Sequence, residues 1–253
     1  MKALITFALA NEFAPWRRSR RFERVSGDAS DQTYSAQVGL ADVRVVLTGV
    51  GRFATQRALA RAFDWGPDVC VASGLSGGLR SVHRPGAVLA ARMVANVNQT
   101  RLVRSDAELV SRAGVLGAKV VERFLTSDHV VSASEEKKFL GASGDAVDME
   151  SAYVLSAAAQ RGIPSAAIRA ISDAVESDLP LDFGQAFNER GSVSVPKIIG
   201  QIVARPQRIG GLLRLAHESE RAAAALASFL DAYVQRLSLD PLPEVAKAEA
   251  LAT

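Results

Sequence analysis

Short apolar runs that alternate with helical patterns constrain this chain more than any other feature. Lys2–Leu9, Val43–Val50, Asp68–Ser73, Ala87–Ala91 and Ser165–Ile171 read as strands, and several are apolar at successive positions rather than at every second one. That pattern is expected of strands whose two faces are both covered, because neither side of the pleat meets water. Between them, Phe53 to Phe63 has helical spacing and stops at Gly66-Pro67, and Ser151 to Arg161 has the same spacing and stops at Gly162 and Pro164. Strands that alternate with helices predict an α/β layered fold with a largely parallel or mixed central sheet. With 253 residues, 48% of them hydrophobic, the chain can bury one large core, and residues 1–237 are read as a single domain.

The last fifty residues differ in character. Pro196 opens one helical segment, and after Arg205-Pro206 the stretch Ile209–Leu237 places leucine and alanine on one face. Arg208, Arg214, Glu218, Arg221 and Asp231 lie on the other. Residues 195–237 are therefore expected to form a helical appendage on the core or on a second subunit, and the tail from Ser238 onward, with two prolines and an alanine-rich end, is expected to be disordered.

Composition removes several functional classes. Thirty basic against 27 acidic residues leave +3, too little for the dense cationic face that nucleic acid requires. The single cysteine, Cys70, sits in the apolar run Val69-Cys70-Val71-Ala72, so no disulfide framework exists and a reducing cytoplasm is the expected compartment. The N-terminal run Ala3–Ala10 after Lys2 imitates a signal peptide but reads equally well as a first buried strand, which is the reading adopted. His83, His129 and His217 show no metal-ligand spacing, so no metal and no other cofactor is expected.

Three segments carry the polar chemistry. Val147-Asp148-Met149-Glu150-Ser151 opens a helical stretch, with its acids expected in the first turn, where the helix dipole favours ionised carboxylates. An ionised Glu150 accepts hydrogen bonds only and can clamp neighbouring hydroxyls such as those of a ribose; the plain alternative is an acidic helix start with no ligand. Asp173 stands just past the strand that ends at Ile171, where ligands gather in open α/β sheets. Burial there would raise its pKa toward a value useful for protonating a leaving group, and the plain alternative is a turn cap. Ser73-Gly74-Leu75-Ser76-Gly77-Gly78-Leu79 is read as a glycine-rich loop whose backbone can approach a sugar oxygen, a phosphate or a water. It matches neither the dinucleotide fingerprint nor the Walker loop.

Gly49-Val50-Gly51-Arg52, the loop from Gly74 to Leu79, Val147–Ser151 and Arg169-Ala170-Ile171-Ser172-Asp173 occur in the order of the nucleoside phosphorylase and nucleosidase superfamily, which includes the methylthioadenosine/S-adenosylhomocysteine nucleosidases. The chain resembles that superfamily over roughly residues 1–190. The resemblance implies a three-layer phosphorylase-like fold, a mixed central sheet flanked by helices, in a homodimer. It also implies that Met149 lies against the sugar face, Glu150 on the ribose hydroxyls, and Asp173 at the imidazole-ring nitrogen of a purine with Ser172 helping to hold the base. By the same resemblance Glu12, shortly after the first strand, activates the attacking water. Gly74 and Ser76 are expected as further ligand contacts, with Val131 or its backbone lining the base site and Phe183, like Phe187, covering it.

Departures from the pattern bear on the nucleophile. The hexameric phosphorylases carry an arginine two residues before the first loop glycine and a serine directly after it, both on phosphate; this chain has Ala72 and Leu75 there. Hydrolysis of a purine nucleoside, with adenine as the expected base, is thus the leading expectation and phosphorolysis its rival. Arg17, Arg18, Arg20, Arg21 and Arg52 are left either to reach phosphate from another direction or to form a solvated basic surface. Arg205-Pro206-Gln207 followed by Leu212–Ala216 resembles the end of the hopanoid-associated phosphorylases, which remove adenine from an adenosylated lipid; only that substrate would imply membrane contact. A non-catalytic purine-binding protein on the same fold is the alternative of another class.

Overall fold

The computed structural model describes residues 1–25, 32–98, 102–180, 209–240 and 242. In chain order the elements are β1 (Lys2–Phe7), α1 (Ala10–Ser19), β2 (Glu23–Arg24), β3 (Thr33–Val38), β4 (Ala41–Leu47), α2 (Arg52–Ala62), β5 (Val69–Gly78), β6 (Val88–Asn96), β7 (Leu102–Arg104) and α3 (Ala107–Val115). There follow β8 (Lys119–Thr126), α4 (Ser134–Leu140), β9 (Ala146–Asp148), α5 (Ser151–Ala159), β10 (Ser165–Asp173) and α6 (Ile209–Leu239). All ten strands of the described residues join one mixed sheet. β1 pairs parallel with β4 and β5, and β10 pairs parallel with β5 and antiparallel with β6. β8 lies parallel to β6 and β9, and β9 returns antiparallel to β5 at Gly77 and Gly78, so that β5, β10, β6, β8 and β9 close a ring. The expected α/β architecture, a mixed sheet flanked by helices with a long C-terminal helix, is the one present.

Side-chain alternation explains why the strands read as unbroken apolar runs. In β1, Ala3, Ile5 and Phe7 enter a core shared with α1, α3 and α6, while Leu4 enters a second core with α2 and α5. In β10, Ala166, Ile168 and Ala170 face the first core and Ala167 and Ile171 the second. Both faces are dry, as the sequence predicts.

Four local expectations are corrected. The glycine-rich segment is no loop: β5 continues through it to Gly78, because β10 and β9 pair with those residues and supply their backbone hydrogen bonds. The acids of Val147–Ser151 do not sit in a helical first turn; Asp148 ends β9, Glu150 is the N-cap residue, and α5 begins at Ser151. Asp173 is the last residue of β10 rather than one beyond the strand. Finally, α6 runs to Leu239, and Ser238, expected in the disordered tail, is buried with its Oγ accepting from Leu40 N at 3.1 Å.

The C-terminal helix is more than an attachment over its second half. Ala222, Ala223, Leu226, Ala227, Leu230, Tyr233, Val234 and Leu237 recur at helical spacing and join the first core. Asp231, expected on the solvated face, is half-buried and accepts from Arg20 Nε and Nη2 at 2.7 Å and from Trp16 Nε1 at 3.2 Å, tying α6 to α1. In the helix's first half Ile209 and Leu213 are exposed. No helix among the described residues is long and apolar enough to cross a membrane.

Candidate active site

The site grows from the carboxyl ends of β1, β5, β9 and β10. Glu12 lies in the first turn of α1, directly after β1, and its chain entry wraps the carboxylate. Oε2 accepts from Ala8 N and Leu9 N at 3.0 Å each, and Oε1 accepts from Leu75 N at 3.0 Å. Burial pushes the Glu12 pKa up; the Arg169 guanidinium and the three backbone N–H groups pull against that without cancelling it.

Arg169 is the centre of this region. It interrupts the apolar run of β10, on the face shared by Ala167 and Ile171, and is 1% exposed. A guanidinium cannot shed its proton there, so it must be paired. Nε lies 3.0 Å from Asp148 Oδ2 and donates to Ser151 Oγ at 3.2 Å; Nη2 donates to Glu150 Oε2 and Nη1 to the Leu75 carbonyl, both at 3.4 Å. Burial works against its charge, but Asp148, Glu150 and Glu12 more than offset this and leave its pKa above the ordinary value.

Asp148 is built in from the other side. Its Oδ1 accepts from Thr126 Oγ1 at 2.8 Å and from the Glu150 and Ser151 amides at 3.2 Å, and its Oδ2 accepts from Ser151 Oγ. Glu150 Oε1 accepts from Gly51 N at 3.0 Å. Burial, only partly countered by Arg169, pushes Glu150 up to about 7. One guanidinium thus faces three carboxylates, and burial, only partly offset by Arg169, raises Glu12 and Glu150. Met149, between the two acids, brings its Cε near Gly51.

Gly74 is required at this point. Its φ is +135°, and a Cβ there would lie 2.7 Å from Arg169 Nη1 and 3.1 and 3.2 Å from the Glu12 carboxylate oxygens. Three residues along β5, roughly 10 Å at strand rise, a Cβ on Gly77 would meet Asp173 Oδ2 at 3.3 Å. Asp173 owes its aim to a bulge: Ile171 pairs with Ser76 and Asp173 with Gly77, so Ser172 is an extra residue that turns the strand end. Ser172 Oγ bridges Ser76 O at 3.2 Å and Asp173 Oδ1 at 2.6 Å. The other oxygen, Oδ2, receives Lys137 Nζ at 2.5 Å.

Glu12, Gly74 and Glu150 are thereby gathered around Arg169, with Met149 near Gly51, and Ser76, Ser172 and Asp173 around the bulge. Ser76 Oγ is buried without a hydrogen-bond partner among the described residues, on the strand that links the two groups. Val131 packs in a small apolar cluster with Leu79, Leu125 and Val147; Val147 Cγ1 in turn stands beside Gly77 and so borders Asp173. Phe183 and Phe187 fall outside the described residues. Arg17, Arg18 and Arg21 are exposed, and Arg20 is committed to Asp231, so none of these four enters the carboxylate cluster. A cleft of about 480 Å³ between α2 and α5 is lined by Arg52, Gln56, Tyr153 and Arg161, and by none of Glu12, Glu150 and Asp173. No cluster of three metal-ligating side chains occurs among the described residues.

Sequence reasoning assigned no role to Arg169, to Asp148 as its anchor, or to Lys137. An arginine inside a doubly buried strand was a legible signal, since such a charge requires partners. Lys137 gave none: Glu135-Glu136-Lys137-Lys138 reads as a solvated helix face.

Residues 2–204 match the phosphorylase superfamily. No curated protein is significantly similar in sequence. Among solved structures, a mutant methylthioadenosine/S-adenosylhomocysteine nucleosidase of Helicobacter pylori with 5′-methylthioadenosine in its active site superposes with a TM-score of 0.72 at 16% identity, covering 93% of this chain and 99% of that one. Futalosine hydrolase of the same organism gives 0.72 at 17% identity over 94% and 98%. The Neisseria meningitidis nucleosidase in complex with methylthio-immucillin-A gives 0.70 at 19% over 93% and 99%.

Proposed function

The chain belongs to the phosphorylase superfamily and is an enzyme of the nucleosidase or phosphorylase kind, and on that premise we propose that it hydrolyses the N-glycosidic bond of a purine nucleoside, with adenine as the base. Cleavage builds oxocarbenium character at the sugar, so a nucleophile is needed on one side and a protonated leaving group on the other. Glu12 takes a proton from water, whose oxygen bonds to the anomeric carbon. The glycosidic electron pair leaves with the base, and Asp173 supplies a proton to the imidazole-ring nitrogen. Glu150 holds the ribose hydroxyls with Met149 against the sugar face, and Ser172, Ser76 and Gly74 complete the contacts, with Val131 and Phe183 toward the base.

One observation carries the choice of water over phosphate. The cation beside Glu12, Arg169, is already surrounded by Glu12, Asp148 and Glu150, and the chain has Ala72 and Leu75 where phosphate contacts would stand. A phosphate dianion entering there meets net negative charge at low dielectric, whereas water meets a buried carboxylate with a raised pKa, suited to general-base work. The relatives' substrates support the class: 5′-methylthioadenosine for one neighbour and futalosine for another, both nucleosides.

The test is a panel of nucleosides, adenosine, inosine and 5′-methylthioadenosine among them, with and without phosphate, reading free base and the sugar product. Free ribose derivatives at rates indifferent to phosphate are expected. A steep phosphate requirement with accumulation of a sugar 1-phosphate would replace hydrolysis by phosphorolysis. Exposed Ile209 and Leu213 at the start of α6 favour one second reading, a lipid-linked nucleoside admitted beside that helix; turnover of soluble nucleosides only would remove it. A cytoplasmic homodimer belongs to this reading, and sedimentation of the purified protein checks the dimer.

A further inference from the structure

Lys137 is unusual in that its side chain is entirely buried on a helix whose other charged residues are partly or fully exposed. Its ammonium has three N–H groups and meets three acceptors: Asp173 Oδ2 at 2.5 Å, Ser177 O at 2.7 Å and Ala174 O at 3.3 Å. An ammonium can give one N–H to each of the three, and its charge is met by the Asp173 carboxylate in a buried ion pair. Asp173 has one donor near each oxygen, Ser172 Oγ at Oδ1 and the ammonium at Oδ2. The carboxylate read as the proton donor thus has a buried N–H donor within proton-transfer distance of Oδ2.

We propose that Lys137 and Asp173 work as one proton-holding unit, in which the proton delivered to the departing base is stored on Lys137 Nζ and passes through the Asp173 carboxyl. The proposal rests on the reading of Asp173 as the group that protonates the base. In a dry pair the charged and neutral forms approach one another in energy, because the ions lose hydration that the neutral acid and amine never had. As the glycosidic bond weakens, an Nζ–H bond breaks and leaves its electron pair on nitrogen while an O–H bond forms on Asp173. That O–H then breaks as an N–H bond forms on the base. Lysine ends as a neutral amine beside a carboxylate, and one proton from solvent restores the pair after the base departs. Lys137 touches no substrate in this scheme and acts through Asp173, as a positioning residue.

On the segment after β10, Asp178 accepts from Ser134 N of α4 and lies in the field of Lys137 and Lys138. Glu136 of α4 is engaged by His129. Across Gly78, whose Cβ would meet both His83 O and Asp173 O, stands the buried His83–Asp145 pair with Arg80. Among the described residues, none of these hydrogen-bonds or ion-pairs with Lys137 Nζ or the Asp173 carboxylate.

The experiment compares Lys137→Arg, Lys137→Ala and Asp173→Asn in the full chain, on the nucleosides that the panel shows to be turned over, with folding checked by thermal unfolding. Arginine keeps a positive charge beside Asp173 but cannot surrender its proton. Loss of general-acid supply predicts a fall of about 10²–10⁴ in kcat for Lys137→Arg. Methylammonium is expected to restore Lys137→Ala at least about tenfold in kcat, one order within that range, with no restoration by guanidinium at the same concentration. A Lys137→Arg enzyme within about threefold of wild type across the pH range, far inside that range, would overturn the proposal, as would equal rescue by guanidinium. If the arginine variant fails to fold, the amine-rescue series decides. An Asp173→Asn enzyme that kept full turnover would instead overturn the prior reading of Asp173.

Discussion

The two halves of the site handle buried charge in opposite ways. Around Arg169, three carboxylates share one guanidinium, so negative charge is in excess, and burial raises the pKa of Glu12 and, to about 7, that of Glu150. Around Asp173, one carboxylate meets one ammonium and the charges balance. In the proposed mechanism, the excess suits a region that accepts a proton from water and holds hydroxyl donors; the balance suits a region that stores a proton until a base demands it. Strands β5 and β10 run through both, and the bulge at Ser172 lets two such different environments sit a few residues apart.

The largest expected effect sharpens the division of labour. Glu12→Gln keeps the shape of the carboxylate and removes its basicity, and should lower kcat by about 10²–10⁴ with little change in substrate binding, measured by steady-state kinetics and by equilibrium binding of a nucleoside analogue. Full activity would show that the proton acceptor lies elsewhere. Next, Arg169→Met strips three carboxylates of their cation and should cost roughly 3–5 kcal/mol of stability, measured by denaturant unfolding. The same replacement at Lys137 strands only one carboxylate. An equal or larger loss at Lys137 would break the contrast between shared and balanced charge.

The pH dependence follows from the burial of Glu150. Glu150 has a folded pKa near 7 above its ordinary value of 4.5, so the folded state holds a proton that the unfolded chain has released. Its contribution is present in full below about 4.5 and is lost as pH rises toward 7, by at most about 3 kcal/mol. Glu150→Gln should flatten that portion of the stability curve, measured by denaturant unfolding as a function of pH. Smaller still, Gly74→Ala forces a Cβ against Arg169 Nη1 at a positive φ and should cost about 1–3 kcal/mol, and Gly77→Ala, whose Cβ stops 3.3 Å from Asp173 Oδ2, should cost less. Parity between the two glycines would mean that the Arg169 side is not the tighter one. The weakest is Asp231→Ala, far from both clusters, which removes a half-exposed tether between α1 and α6 and should cost on the order of 1 kcal/mol without altering kcat.

Much of the frame was legible beforehand. Each apolar run named in the sequence contains or overlaps a strand, and both helices with clear stop signals are present within two residues of their expected ends. What escaped had physical reasons. β9 is three residues long, too short for any periodicity to register, and β3 is an outer strand with polar residues among its apolar ones. The glycine-rich segment was misread because glycine signals a turn locally, yet here it makes room for Glu12 and Arg169 within a strand.

By itself, the order of residues determined where strands end and which acids stand at those ends, since apolar periodicity and breaker residues act locally and are read in sequence. Only the tertiary structure decided what each acid faces. Asp173 meets Lys137 across 36 residues and Glu12 meets Leu75 across 63, and the charge state of a buried carboxylate depends on such distant neighbours and on lost solvent, neither of which is written beside it in the chain.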